Sequence, residues 1–190
     1  MILFSTASYA DIGAISELRG NGEVIRENQS DKLFAELALD IFSNDDVRTG
    51  NGRIAIQFID DTVIRLTEHS KVVIDKFVFD PDPNKSELAL SFIRGTGRFI
   101  SSKKKRIAPK NISIKANGAF VGIRGTDFTI TSDEIGRTMV ILLPDEDGTS
   151  SGEITVTTFA GTVVMNKPFQ ATVVTVAEQM PTRPVTLTNM

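Results

Sequence analysis

Hydrophobic and polar residues alternate along much of the chain with a period of two. Ile54, Ile56 and Phe58 fall on one face of an extended segment, and the residues between them fall on the other. The segment 87–92 repeats this pattern, with its apolar residues at 88, 90 and 92. Because successive side chains of a strand point to opposite faces, the alternation predicts half-buried β-strands.

Other segments rich in Val, Ile and Thr also predict strands, since these residues suit a pleated surface. They are 63–66, 72–79, 112–115, 120–123, 128–131, 138–143, 154–157, 162–165 and 172–176. The turns Asp60–Asp61 and Asp80–Asn84 separate some of them. Only Asp31–Leu39 has helical spacing, and an extended segment is the alternative there. The sequence therefore predicts one all-β domain with little helix, either an antiparallel sandwich or a short solenoid-like arrangement.

Length and charge limit the classes of partner. The chain has 190 residues, enough for one well-buried domain and short for two. Its formal net charge is -3, which disfavours nucleic acid as a partner of the whole domain. Cysteine is absent, which excludes disulfides, thiolate chemistry and cysteine-based zinc sites.

The two ends of the chain differ from the middle. Ser8–Ala10 is similar to a signal-peptidase site, but no basic region precedes it and the apolar stretch is short. We therefore expect residues 1–18 to be an arm or a vestigial leader and residues 19–190 to form the domain. The tail from about residue 180 contains Pro181 and Pro184, and we expect it to be an extended arm that contacts a neighbouring subunit. No apolar run approaches the roughly 20 residues of a membrane span.

Residues suited to catalysis are few. His69 is the only histidine, and it lies in a turn between two predicted strands, where a solvated side chain is the default. No serine lies in a G-x-S-x-G elbow. The glycine pairs near residues 20, 50 and 95 lack the context of phosphate loops and indicate turns. We expect no enzymatic activity and no cofactor.

Two charged segments interrupt the strand pattern and are expected to project. The first has four consecutive cations, which are candidate contacts for a partner protein: Lys103, Lys104, Lys105 and Arg106. A solvated loop is the simpler interpretation of this segment. The second, 144–152, contains Asp145–Gly148, which resembles the start of a calcium loop. The acidic residue needed at fixed spacing is missing, so a solvated acidic turn is favoured and no metal site is predicted.

The most distinctive segment is 120–128, with the sequence FVGIRGTDF. Its two glycines permit a sharp bend, and an arginine between them could bind carbonyls or a carboxylate. Phe120 and Phe128 are expected to anchor the flanking strands in the core. The segment resembles the V-G-x-R-G-T-x-F signature of FecR-type domains. The structural signature residues are Gly122, Arg124, Gly125, Thr126 and Phe128.

Further motifs of this family occur in the expected order, and the resemblance covers roughly residues 20–184. Gly22–Val24 resembles the opening strand, and Asp46–Gly50 resembles the G-D-x-x-x-T-G turn. Phe58–Thr62 is similar to the F-x-D-G-T hairpin, with Asp61 where glycine is usual. The resemblance implies a β-domain that contacts proteins and favours a structural role for the signature.

The resemblance also bears on the setting of the protein. The best-known FecR members are anti-sigma regulators with a cytoplasmic segment and a membrane span, and this sequence resembles only their extracytoplasmic domain. Glu68–Asp75, Asp127–Ile130 and Asn166–Val174 resemble stretches of short FecR-like proteins of marine T4-type tailed phages. This implies a stand-alone structural component of a virion, in the tail, neck or baseplate, surrounded by other subunits. The alternative is an exported binding module in the periplasm or cell envelope.

Overall fold

The computed structural model describes residues 11–27 and 32–188, and these form an all-β domain of fifteen strands with one short 3-10 helix at Pro109–Asn111. The strands are β1 (Gly13–Ile25), β2 (Leu33–Phe34), β3 (Asp40–Ile41), β4 (Asp46–Phe58), β5 (Val63–Leu66), β6 (Lys71–Val78), β7 (Glu87–Ile100), β8 (Ile112–Ala116), β9 (Ala119–Arg124), β10 (Asp127–Ser132), β11 (Thr138–Leu142), β12 (Glu153–Thr158), β13 (Gly161–Met165), β14 (Gln170–Val174) and β15 (Val185–Thr186). The prediction of a single domain built of many strands with little helix is confirmed.

Three long strands, β1, β4 and β7, are bent and belong to two layers at once. The first half of β4 pairs with β6 and its second half pairs with β5. The two halves of β7 also pair with β6 and β5. The first layer continues through β8, β9, β12 and β13, and the second continues through β10, β11, β14 and β15. The sheet is thus folded on itself into a sandwich.

Glycines make these bends feasible. Gly20 of β1 lies opposite Gly52 of β4, next to a register shift in their ladder. Gly20 has φ +73°, and a Cβ atom there would collide with the carbonyl oxygen of Asn51. Gly95 bends β7 with φ +89°. The glycine pairs predicted as turns between strands are therefore bends within strands.

The core lies between the two layers. Phe58 of the second layer stacks on Phe77 of the first, with ring centroids 5.4 Å apart. The alternating residues predicted for the core side of β4 and β7 are buried. An interior void of only about 20 Å³ is lined by both layers, including Leu90 and Phe128.

The two ends of the sandwich differ. One end carries the bends and the turns at 133–137 and 158–161, and we call it the bend end. The other, the loop end, carries the segments 59–62, 101–111 and 143–152. Among the described strands every pairing is antiparallel except that of β7 with β8. The segment 101–111 makes this parallel pairing by crossing the loop end from one layer to the other.

The helix expected at Asp31–Leu39 is wrong for its described part, residues 32–39. Leu33–Phe34 is strand β2, which pairs with β1, and Ala38 has φ +63°. Backbone partners on β1 explain this difference, because the Ala35 N–H donates to Gly22 O and the Ala38 N–H donates to Ile15 O, both at 2.9 Å. Leu37, expected on the apolar face of a helix, is 64% exposed.

Two further expectations also need revision. Asp46–Gly50, interpreted as a turn, is the first half of β4 and is held in the ladder with β1. The boundary between residues 18 and 19 falls inside β1, which begins at Gly13. The residues before position 11, including Ser8–Ala10, lie outside the described part of the chain.

The C-terminal tail is extended, as expected, but it lies against its own sheet. The Thr182 N–H donates to Val173 O, and the Leu187 N–H donates to Phe169 O, both at 2.9 Å. Pro181 is buried, whereas Pro184 is half-buried. The tail is therefore packed on the β14 edge of the second layer and does not extend away from the domain. Contact of Pro181 and Pro184 with a neighbouring subunit stays a prediction. No helix within residues 11–27 and 32–188 is long and apolar enough to span a membrane.

Candidate functional site

The signature segment forms a tight corner between β9 and β10 at the loop end. Gly125 occupies the left-handed region with φ +57°, which glycine adopts without a steric penalty. Phe128 is fully buried and packs on Phe99 with ring centroids 5.4 Å apart. Of the two glycines expected to form a bend, Gly125 lies at the corner, whereas Gly122 lies within the regular ladder of β9.

This corner holds the first charged segment, 101–111, which we call the basic loop. The Ser101 N–H donates to Thr126 O at 3.0 Å. The Thr126 N–H donates in return to the Ser101 hydroxyl oxygen at 2.8 Å. The two hydrogen bonds fix the start of the basic loop against the signature.

The same corner holds the second charged segment, 144–152, which we call the acidic loop. The Asp127 N–H donates to Ser151 Oγ at 3.0 Å, and the Ser151 hydroxyl donates to Leu143 O at 2.7 Å. Gly152 lies so close to the carbonyls of Arg124 and Gly125 that a Cβ atom would collide with both. The signature thus positions two loops that are separated in sequence.

An open cleft lies between the corner and the two loops. It consists of two adjoining hollows of about 550 and about 590 Å³. Both are lined by serine hydroxyls, glycine backbone and a cation, and they share these residues: Ser101, Ser102, Lys105, Gly125 and Ser151. Asp145 and Glu146 line only the second hollow. The cleft therefore presents basic groups on one side and acidic groups on another.

The four cations of the basic loop have different surroundings. Lys104 Nζ lies 2.9 Å from Asp61 Oδ2, and Arg106 Nε lies 3.7 Å from the same oxygen. Lys103 and Lys105 are exposed, and neither forms an ion pair among the described residues. Of the four predicted partner contacts, Lys104 and Arg106 are therefore paired with Asp61, and Lys103 and Lys105 face solvent.

Asp61 explains how the basic loop is anchored. It has φ +71° in the hairpin turn between β4 and β5, which accounts for the glycine usual at this position in the family. The hydrogen bond from Lys104 lowers the pKa of Asp61 below its ordinary value of 3.8, with a further contribution from the charge of Arg106. The anchoring contact is therefore strongest with the Asp61 carboxylate ionised.

We expect Lys104→Gln to raise the titration midpoint of Asp61 toward 3.8. A lowered folded-state pKa means that the contact contributes above the unfolded pKa and is lost as the pH falls through the folded pKa. Carboxyl ¹³C shifts recorded through an acid titration measure the midpoint. Lys103→Gln, which removes a neighbouring charge without removing an ion pair, should leave the midpoint near the wild-type value. Identical midpoints in wild type and Lys104→Gln would contradict the assignment.

The acidic loop forms a compact turn. Asp147 Oδ1 accepts hydrogen bonds from the N–H of Thr149 at 2.9 Å and from its hydroxyl at 2.6 Å, and these bonds lower the pKa of Asp147. Gly148 has φ +81°. Among the described residues no group of three or more acidic or histidine side chains could hold a metal ion. Oδ1 of Asp147 is thus occupied by hydrogen bonds within the turn.

Arg124 and Thr126 are the two signature side chains with unused hydrogen-bonding capacity. The Arg124 side chain is exposed beside the first hollow and forms no hydrogen bond or ion pair with the described residues. Thr126 is 3% exposed, and its hydroxyl has no partner among them. Thr126 lines the second hollow. Arg124 is therefore available to a ligand in the cleft, whereas the Thr126 hydroxyl is buried beneath its surface.

One predicted anchor is wrong. Phe120 is 42% exposed on the outer side of β9, and the Lys115 ammonium lies 5.6 Å from the centre of its ring. The strand alternates with Ala119, Val121 and Ile123 inward, so Phe120 must face solvent.

His69 is exposed in a turn at the bend end, where its backbone N–H donates to Gly50 O at 3.0 Å. It is therefore remote from the cleft.

The protein is thus a two-layer β-sandwich with an open cleft at its loop end. The FecR protein family matches residues 45–164, which is more than half of the chain and contains every residue lining the cleft. The chain belongs to the FecR family. No curated protein matches it. FecR domains mediate protein interactions, and this is the general role of the domain.

Proposed function

We propose that this chain is a non-enzymatic structural module that binds a neighbouring protein through the cleft at its loop end, as a component of a tailed-phage virion. The tail, neck or baseplate is the expected place. The observation that carries the proposal is the signature corner, which fixes a basic and an acidic loop beside one open cleft. A surface with separated charges of both signs is suited to a protein partner with complementary charges.

A free strand edge supports the same role. Among the described strands, β13 pairs only with β12, so one side of β13 offers unpaired backbone groups. Val164 on this strand is 47% exposed. Addition of a strand from a neighbouring subunit would satisfy these groups.

The arrangement of the cleft supports the proposal that the chain is not an enzyme. Its serines have no histidine nearby to act as general base, since His69 lies at the bend end. The hydroxyl of Ser151 is bound to Leu143 O. Nucleophilic catalysis needs an activated hydroxyl, and this surface provides none among the described residues.

The alternative is an exported module of the bacterial envelope that recognises a protein or cell-wall partner. Ser8–Ala10, with small residues at both key positions, favours this alternative. The two proposals predict different masses for the mature protein. Full-length protein in purified particles supports the virion proposal, whereas protein lacking Met1–Ala10, found only in the envelope fraction, supports the alternative.

The cleft itself is tested by labelling. The chain has no cysteine, so Lys105→Cys introduces a unique thiol in the cleft and Glu178→Cys introduces a matched thiol at the bend end. In purified particles we expect Lys105→Cys to react at least about tenfold more slowly with a maleimide than in the isolated protein. Protection at Glu178→Cys should be smaller. Equal protection at the two positions, or none at Lys105→Cys, would contradict a partner in the cleft.

A further inference from the structure

Four arginines lie together on the outer face of the second layer, which adjoins the signature corner at Asp127. Arg19 of β1 is directly opposite Arg53 of β4. Arg65 of β5 is directly opposite Arg98 of β7. All four are exposed and line a depression of about 410 Å³, which we call the arginine face.

Two of the four are already paired with carboxylates. Arg65 Nη2 lies 2.8 Å from Glu17 Oε1. Arg98 binds Asp127 through two nitrogens, with Nε donating to Oδ1 at 2.8 Å. Arg19 and Arg53 form no ion pair and no side-chain hydrogen bond with the described residues. Four cations and two carboxylates leave this face with a local charge of +2 (4 − 2), in a chain whose net charge is -3.

The arrangement is unfavourable for the isolated domain. Like charges directly opposite each other on neighbouring strands are destabilising. The small, buried Ala55 lies in the ladder between Glu17 and Arg65 and lines the depression. A surface that concentrates positive charge at a cost in stability is suited to an anionic ligand.

We propose that the arginine face binds a carboxylate-rich segment of a partner protein. A guanidinium matches a carboxylate with two parallel hydrogen bonds, and the Arg98–Asp127 pair demonstrates this geometry on the same face. Arg19 and Arg53 remain to bind the incoming carboxylates. The face adjoins the loop-end cleft, because Arg98 lines both the depression and the second hollow of the cleft. Arg19 and Arg53 line only the depression.

The chemistry of the face favours protein over nucleic acid. Among residues 11–27 and 32–188 no aromatic side chain lines the depression, so these residues offer bases no stacking platform. Glu17 and Asp127 lie within the face and repel a continuous row of phosphates. Threonines line it instead, at positions 67, 96 and 129. The hydroxyls of Thr67 and Thr96 are hydrogen-bonded within the domain, and that of Thr129 has no partner among the described residues.

The probe is a fluorescein-labelled oligoglutamate of about six residues, long enough when extended to cross the roughly 14 Å from β1 to β7. Binding is measured by anisotropy at an ionic strength of about 0.05 M, where surface charges are weakly screened. We expect Arg19→Gln/Arg53→Gln to lower the affinity at least about tenfold. Lys110→Gln/Lys167→Gln removes the same charge from exposed positions outside the depression and the cleft, and should change the affinity less than about twofold.

Other outcomes overturn the proposal. No binding to wild type, or equal losses in the two double variants, would mean that the face has no specific role. Tighter binding of an oligothymidylate of equal length, lost in Arg19→Gln/Arg53→Gln, would assign the face to nucleic acid. The melting temperature of Arg19→Gln/Arg53→Gln should not fall, because the substitutions remove a repulsion. A fall would indicate a structural role for the two arginines.

Discussion

Phe128→Ala is expected to lower the free energy of unfolding by about 3–5 kcal/mol, the usual cost of removing a buried phenylalanine ring. Phe128 is fully buried, packs on Phe99 and lies directly after the signature corner. Removal of the ring leaves a cavity between the two layers, where the structure now has only a small void. The melting temperature should fall by roughly 6–20 °C.

Phe120→Ala is the matched control, since both phenylalanines belong to the signature segment. Phe120 is 42% exposed, so its truncation should cost less than about 1 kcal/mol. Guanidinium unfolding curves for wild type and both variants give the comparison. Equal losses in the two variants would contradict the orientation of β9.

Gly152→Ala is expected to lower the free energy of unfolding by about 3 kcal/mol, at the upper end of the cost of overpacking. The added methyl group would collide with the carbonyls of Arg124 and Gly125, and backbone atoms cannot rotate away as a flexible side chain can. Because Glu153 pairs with Arg124 next to this contact, the acidic loop and the start of β12 must shift together. Amide exchange at Asp127, whose N–H donates to Ser151, should become faster.

Gly148→Ala is the control that separates the cost of the steric collision from the cost of the left-handed backbone conformation. Gly148 has a positive φ, and a Cβ atom there would meet nothing within 4 Å. Its substitution should cost about 1 kcal/mol from the left-handed conformation alone. Thermal unfolding measured in parallel gives both values. A loss in Gly152→Ala no larger than that in Gly148→Ala would contradict the close approach.

Most of the sandwich could be predicted because its strands alternate cleanly. Ile54, Ile56 and Phe58 are buried as the period-two pattern requires, and so are the apolar residues of 88–92. The glycines near residues 20, 50 and 95 marked places where the chain changes direction. The sequence could not show that each change of direction is a bend within one strand, because that depends on pairing with distant strands.

The errors arose where tertiary pairing overrides local pattern. Leu33, Leu37 and Ala38 have helical spacing, but the backbone of β1 supplies hydrogen bonds that hold this segment extended. Phe120 precedes Val121 and Ile123, and all three residue types suit a core. A run of apolar residues does not reveal its own register, and only the pairing of β9 with β8 and β12 places Phe120 outside.

The candidate site was predicted only in part. The signature identified the corner, and the runs of charge identified the two loops. Their convergence depends on Ser101 and Ser151, which contact residues about 25 positions away in sequence. Isolated serines carry no local signal of such contacts. The arginine face was missed for the same reason, since its members come from four strands and no two are neighbours in sequence.

The bent strands have a consequence for the way the domain folds and resists force. Each of β1, β4 and β7 contributes one half to each layer, so neither layer contains a complete set of its own strands. Neither layer can therefore reach its native ladder while the other remains unfolded. Tension that separates the layers acts on covalent backbone at both ends, on the three bent strands at the bend end and on the corner, the basic loop and the acidic loop at the loop end. The layers therefore cannot separate at either end without stretching the chain itself.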